Sequence, residues 1–351
     1  MDRVKIGFVG VGSMGQMAHL RNYVSIADCQ VVALAELREK TAGAVAQRYG
    51  IGRVYRDHRE MLAAEPLDGV VASQPFATHA ILLPELYGRV KHVFTEKPLA
   101  VSVAAGEALA RAAAEAGCVH MVGYNKRSDP ATVYAKGVIE EWKRSAQLGS
   151  LRYVRITMPP GDWIANGFVG RIGDDDPRPE LPTEPPPSDM SPETYKAYVS
   201  FVNYYIHQVN LMRHLLGEAY RVTHVDRAGV LLVAESASGV SGVIEMAPYH
   251  TTLEWEESVL IAFERGYVRL CLPAPLALNR CGTVEIYRDP GGGATPERSQ
   301  PTMPWIHAMR RQAETFVKVC QGLMAPPCTA AEAVEDLKIA RDYIAMRYEG
   351  G

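Results

Sequence analysis

Cysteine is scarce in this 351-residue chain, and what there is stands apart. The six residues Cys29, Cys118, Cys271, Cys281, Cys320 and Cys328 form no Cys-x-x-Cys pair. That scatter argues against structural zinc and against a disulfide-built scaffold, and it suits a reducing compartment. Runs of like charge are missing too: 37 Lys and Arg face 40 Asp and Glu, for a net charge of −3. Without a basic stripe, nucleic acid and anionic membrane surfaces are poor candidates as partners. No apolar stretch approaches the roughly 18 residues needed to span a bilayer. Met1-Asp2-Arg3-Val4 runs almost at once into a strand-like segment, so no signal peptide is expected and a cytoplasmic location is. What is present is globular material, with 47% hydrophobic and 22% charged residues. At roughly 150 residues per domain, the length predicts two domains.

The first third alternates two kinds of segment. Short β-branched runs at Val4–Val9, Gln30–Ala35, Gly69–Ser73, His92–Thr95 and Cys118–Val122 predict strands. Helix-period stretches at Met14–Ala27, Glu39–Tyr49, Thr78–Tyr87 and Val101–Ala116 lie between them. Continuous apolar strands separated by helices predict a parallel sheet covered on both faces. After Gly123 the rhythm changes. A helix over Ala131–Ser145 and a strand over Leu151–Met158 are followed by Pro159–Pro192, which holds nine prolines and reads as an extended surface loop. One long helix is expected from Glu193 to Leu216. Six strands then follow in succession between Val222 and Tyr287, which predicts an antiparallel sheet. Two helices close the chain, near Pro304–Gly322 and Ala330–Tyr348, with Thr329 and Glu332 as a capping box and Gly350 past the end. The fold class is therefore α/β. A doubly wound domain is expected over 1–123 and a domain with a large, mainly antiparallel open sheet over 124–351, whose final helix is free to pack back on the first. One open sheet face predicts a homodimer or homotetramer.

Gly10-Val11-Gly12-Ser13-Met14-Gly15 is a G-x-G-x-x-G turn placed directly after a strand and opening a helix. Gly10 permits the tight turn, Gly12 lets the backbone approach a pyrophosphate, and Gly15 allows close helix–strand packing. The helix N-terminus supplies N–H donors and positive dipole. An acid, Glu36, ends the next strand 21 residues after Gly15. It can accept from a ribose 2′-hydroxyl and would repel a 2′-phosphate, which favours NAD. Arg38 keeps NADP open, since a guanidinium can hold that phosphate; a solvated helix-start charge is the preferred reading.

Thr95-Glu96-Lys97-Pro98 follows a strand at the carboxyl edge of the sheet. Taken with the glycine turn, Ser73-Gln74-Pro75 followed by His79, Gly123-Tyr124-Asn125-Lys126-Arg127, and a helix ending His214-Leu215-Leu216-Gly217-Glu218, this resembles the Gfo/Idh/MocA family. The resemblance covers nearly the whole chain. It implies a nicotinamide-dependent oxidoreductase acting on a sugar or cyclitol. It implies that Lys97 is catalytic, that His207 is catalytic or contacts substrate, and that the Lys97–Pro98 bond is cis. Many members carry an acid four residues before that histidine and another three after it; this chain has Asn203 and Asn210 instead.

Oxidising a secondary alcohol takes a hydride acceptor and a group that handles the hydroxyl proton. Lys97 can stabilise a developing alkoxide, and an imidazole such as His207 suits proton transfer near neutrality. Asn203, His207, Asn210 and His214 share a helix face at spacings of four, three and four, where a solvated face would carry charges. His214 is read as structural, and Tyr204 and Tyr205 as core. Tyr124, Lys126 and Arg127 are candidate substrate contacts, and Trp163, after Asp162, is a candidate to stack on a sugar ring. Asp174-Asp175-Asp176 lacks calcium-loop spacing and reads as a solvated turn; no metal is expected. The leading function is an NAD(P)-dependent dehydrogenase or ketoreductase of a sugar, nucleotide sugar, glycoside or cyclitol. The alternatives are a redox-assisted lyase or glycosidase with retained NAD, and a nucleotide-sensing regulator without turnover.

Overall fold

The alternating first third builds a parallel sheet. A computed structural model describes residues 3–173 and 175–348; Asp174 of the acidic triplet and Gly350 lie outside the described residues. Strands β1 Val4–Val9, β2 Cys29–Ala35, β3 Arg53–Tyr55, β4 Gly69–Ala72, β5 His92–Glu96 and β6 Val119–Gly123 pair in parallel in the order β3-β2-β1-β4-β5-β6. That is the doubly wound order, with its switch point between β1 and β4. The connecting helices are α1, wound as a π-helix over Gly15–Leu20 and continuing as Arg21–Tyr23, then α2 Glu39–Tyr49, α3 His58–Ala64, α4 His79–Leu86 and α5 Val103–Glu115. Two elements of this first unit escaped the sequence reading, β3 and α3. β3 is three residues long and mostly exposed, so it leaves no apolar run to detect. The first helix also ends earlier than the Ala27 expected, at Tyr23.

The second sheet starts from α6 Pro130–Ser145, whose first turn is capped by Asp129 accepting from Ala131 N at 2.8 Å, with Pro130 at the first helical position. Eight strands, β7 Leu151–Thr157, β8 Tyr220–Val225, β9 Leu231–Ser236, β10 Ser241–Glu245, β11 Ser258–Phe263, β12 Gly266–Cys271, β13 Thr283–Arg288 and β14 Glu297–Ser299, run in the order β14-β13-β12-β11-β7-β10-β9-β8. Only the β7–β10 pair is parallel. Burial alternates along β9, β10, β11 and β12, so one face is covered and the other is more open. Trp142 of α6 is fully buried and meets Phe263 edge-on at 5.2 Å. The single long helix expected from Glu193 is instead two, α7 Pro192–Tyr204 and α8 Ile206–Leu216. Tyr205 interrupts it at φ −92°, ψ −4°, and Gln208 N closes a tightened turn onto the Tyr205 carbonyl at 3.0 Å.

The chain forms two compact units. The first contains the residues up to Tyr124 and also takes Gly167–Val199 and Met309–Lys338; the second contains Asn125–Asn166, Ser200–Ala308 and the residues from Ile339 on. Helix α9, Ala308–Cys320, places Phe316 in the core of the first unit, 5.7 Å from Phe94 and 6.3 Å from Tyr23. Just before α10, Ala330–Tyr348, the Cys328 carbonyl accepts from Val122 N at 3.0 Å and Thr329 bridges Met121, which covers the β6 edge. The capping box forms as expected, with Glu332 N donating to Thr329 Oγ1 and Thr329 N to Glu332 Oε2. No helix among the described residues is long and apolar enough to cross a membrane.

Candidate active site

In the first unit the glycine turn joins β1 to α1. Gly10 has φ +83°, the left-handed region that glycine enters without strain. A Cβ on Gly15 would stand 2.5 Å from Ser73 Oγ and 2.7 Å from the Gly10 carbonyl, while one on Gly12 would meet nothing within 4 Å. The turn is thus packed at its ends and open at the middle, where a pyrophosphate fits. Ser73 Oγ donates to the Gly10 carbonyl at 2.8 Å, and a Cβ on Gly10 would lie 2.5 Å from Gln74 Nε2. Gln74 Oε1 is buried with no hydrogen-bond partner, an acceptor at the place where a ligand N–H or hydroxyl is expected. Met14 precedes the first helical turn with helical φ and ψ, and Pro75 leads into the Phe76–Thr78 turn through its carbonyl, which accepts from Thr78.

Glu36 stands at the end of β2, largely buried. Its carboxylate accepts from Val11 N at 2.9 Å and from Arg38 Nε and Nη2 at 3.0 and 2.9 Å. Burial pushes this carboxyl upward, but the bonds from Arg38 and the Val11 N–H outweigh it and hold it below its ordinary value. Arg38 is therefore not the solvated charge expected of a helix start; its fork is closed on Glu36.

Glu96 and Lys97 follow at the end of β5, and the Lys97–Pro98 peptide is cis, as the resemblance implied. Glu96 accepts from His19 Nε2 at 2.7 Å; burial raises its carboxyl, and His19 and Lys97 bring it below the usual range. His19 is itself buried, edge-on to Phe94 at 5.1 Å. The Glu-Lys-Pro segment is thus anchored from the helix that begins at the glycine turn. His79 has no exposed surface, and its Nδ1 donates to the Leu99 carbonyl at 2.9 Å. Through that bond it supports the segment that follows Lys97. Tyr124 is buried where the unit ends.

The second unit holds the remaining candidates. Lys126 and Arg127 are buried. Lys126 pairs with Glu257 and lies 5.5 Å from the Trp255 ring centroid, and Gln208 Nε2 donates to Glu257 Oε1 at 2.8 Å. Arg127 Nε donates to Asn210 Oδ1 at 2.7 Å. Asn125, Lys126, Asp129 and Arg280 line a small recess with Pro273 and Ala274. Asn203 is exposed and His207 partly so on α7 and α8. His214 is held neutral, its imidazole pushed down to about 3 by burial and by Arg127, Lys136 and Arg213, which supports the structural reading. Trp163 follows Asp162, whose carboxylate accepts from Ile164 N and Ala165 N at 3.0 Å. Tyr204 OH accepts from Gly161 N at 3.3 Å, and Tyr205 OH donates to the Met246 carbonyl.

Sequence reasoning missed Glu257, Gln208, Gln16 and His19. Gln16 and His19 left a usable signal, two polar residues three apart on an otherwise apolar, buried helix. Glu257 left none, being one acid beside another in a polar stretch.

Residues 4–124 match the family model described as an oxidoreductase family with an NAD-binding Rossmann fold. That match, to the Gfo/Idh/MocA oxidoreductase family, spans about the first third of the chain. The chain is 34% identical over 139 residues to an inositol 2-dehydrogenase of Rubrobacter xylanophilus, covering 39% of this chain and 40% of the relative. It is 27% identical to a myo-inositol 2-dehydrogenase of Thermotoga maritima over 46% of this chain and 48% of that one. The chain thus spans under half the length of these relatives. In fold the whole chain is covered: a putative NADPH-dependent oxidoreductase of Desulfitobacterium hafniense superposes with a TM-score of 0.77 at 13% identity, over 100% of this chain and 97% of the other. A putative myo-inositol dehydrogenase of Sinorhizobium meliloti gives 0.69 at 21% identity, over 99% and 98%.

Proposed function

We propose that this Gfo/Idh/MocA member is a dehydrogenase or ketoreductase that moves a hydride between a nicotinamide dinucleotide and a secondary alcohol or ketone of a sugar, nucleotide sugar, glycoside or cyclitol. The observation that carries the reading is the first unit's pairing of an open glycine cradle and a strand-end Glu36 with Lys97, held at the end of β5 by the His19–Glu96 bond. The bound dinucleotide supplies the hydride chemistry. Gly12 and the α1 N-terminus hold its phosphates, and Glu36 takes the ribose hydroxyls. Lys97 Nζ donates to the substrate oxygen and stabilises its developing negative charge. His207 takes or returns the hydroxyl proton, with Asn203 orienting by hydrogen bonds in place of a titrating acid. Asn210 acts at one remove, by orienting Arg127. Arg127, Lys126, Tyr124 and Trp163 are the proposed substrate contacts.

The dinucleotide is NAD on this reading, because Arg38 is already neutralised by Glu36. NADP binding more than tenfold tighter than NAD, about 1.4 kcal/mol, would reverse that. Self-association through the more open face of the eight-stranded sheet completes the proposal, with sedimentation as its check. The activity itself is tested by absorbance at the NADH band across a panel of sugars, cyclitols and nucleotide sugars with both cofactors. No change with any of them while the dinucleotide still binds would overturn the enzyme reading in favour of a sensor.

A further inference from the structure

The proline-rich stretch is not the free surface loop its composition suggests. From Gly167 on it belongs to the first unit. Its contacts begin at the last turns of α1 and α2, where Arg21 and Arg48 donate to the Gly167 and Gly170 carbonyls, and then reach the starts of those helices. Buried Gln16 donates to the Ile172 carbonyl at 3.1 Å and to Val11 O at 2.8 Å, and accepts from Ile172 N at 2.9 Å, so one side chain ties the strap to the glycine turn. Arg171 Nη1 donates to Ser13 Oγ, inside that turn, at 3.2 Å. Further along, Asp176 Oδ2 accepts from Lys40 N at 2.7 Å and Thr41 N at 3.3 Å, and Asp175 pairs with Lys40 Nζ at 2.7 Å. Glu184 N then donates to the Ala77 carbonyl at 2.7 Å, and its carboxylate accepts from Ser102 Oγ and Val101 N.

We infer that this strap completes the dinucleotide site, with Arg171 as a pyrophosphate ligand and Asp176, supported by Asp175, as the residue that excludes a 2′-phosphate. The inference rests on the dinucleotide reading above. A 2′-phosphate at the end of β2 needs a guanidinium, an ammonium or free helix N–H groups to receive it. Each of those is present, and each already holds an anion: Arg38 holds Glu36, Lys40 holds Asp175, and the first N–H groups of α2 hold Asp176. Two of the three anions come from the strap, some 135 residues away in sequence from the helix they cap. At the other end, Arg171 brings a guanidinium to a turn whose own residues carry no cation. A guanidinium is suited to phosphate oxygens.

The test is nucleotide affinity, read by calorimetric or fluorescence titration with NADH, NADPH, ADP and adenosine, on wild type and two variants. Asp175→Asn/Asp176→Asn removes charge while keeping an asparagine to cap α2, so folding is preserved. It should tighten NADPH at least about tenfold while NADH changes by less than roughly threefold. Arg171→Gln should weaken NADH, NADPH and ADP alike by about five- to tenfold, and leave adenosine unchanged. Wild-type NADH binding with both variants indistinguishable from it would overturn the strap's role and leave the dinucleotide reading intact. Wild-type preference for NADPH would overturn it too. A wild-type protein that binds no dinucleotide would instead remove the underlying reading.

Discussion

In the first unit Glu36 and Glu96 sit at strand ends, each met by a neighbour the topology supplies: a backbone N–H and the next helix's arginine for one, an imidazole from the glycine-turn helix for the other. The second unit encloses Lys126 against Glu257 and Arg127 against Asn210, joining residues 131 and 83 positions apart. The contrast separates two kinds of polar site. A carboxylate at the carboxyl edge of a doubly wound sheet follows from strand order, so any chain with this order has a place for it. A buried ion pair between distant segments follows from side-chain choice alone. The matching family model covers residues 4–124, all of them in the first unit. The nucleotide chemistry therefore rests on shared ground, and the substrate chemistry on what is particular to this chain.

The largest expected effect breaks the contrast at the reacting group. Lys97→Ala and His207→Ala should each slow the chemical step by about 10²–10⁴-fold and leave nucleotide affinity within a few-fold. Single-turnover kinetics against a dinucleotide titration separates the two. Near-wild-type turnover in the His207 variant would move the proton role to Lys97 alone or to Tyr204. Next comes the enclosed pair. Glu257→Ala leaves an ammonium buried without its partner and should cost about 3–5 kcal/mol of stability, whereas Lys126→Met/Glu257→Met should recover much of that. Equal loss in single and double variants, measured by denaturant unfolding, would show that packing rather than charge holds this interior together.

Acid compares the units differently. His120 in the first and His214 in the second are both pushed down to about 3, by burial first and then by neighbouring positive or titrating groups. Their unfolded value is near 6.5, so below that pH the unfolded chain binds protons that the folded chain refuses. Stability is whole above about pH 6.5 and should fall as pH drops toward 3, by about 1.4 kcal/mol per pH unit for each imidazole. The depressed carboxyls Glu36 and Glu96 act in the same direction but in a lower window, since their contribution is lost only as pH falls through the carboxylate range. Denaturant midpoints at pH 7, 6 and 5 should therefore decline before any carboxylate titrates, and His214→Asn should flatten part of that decline. The smallest effect is local. Ser102→Ala removes the cap on Ala105 N and the bond to Glu184, costing about 1 kcal/mol with NADH affinity unchanged.

The sequence was most readable where period and punctuation coincide. β1, β11, α2 and α10 lie where the apolar pattern and their flanking residues place them, and Glu36 was found by counting from Gly15. The Tyr205 break was not readable, because helical period continues across it and only the local turn gives way. Asp176 reads as part of a solvated turn because three adjacent acids look alike in sequence; its bond to α2 joins positions 136 apart, which no local pattern shows. Arg38 is illegible for a simpler reason, since nothing in spacing shows a guanidinium folding back two residues onto an acid.

The late return of the chain to the first unit bears on how the protein is made. Phe316 packs on Phe94 and Tyr23, and the Cys328–Thr329 segment joins the β6 edge, yet both leave the ribosome long after β6 itself has emerged. During synthesis the segment that carries the glycine turn waits with an open flank and an unpaired strand edge. Its own core closes only when α9 and α10 arrive, so the nucleotide-binding portion is finished after the eight-stranded sheet that follows it in the chain.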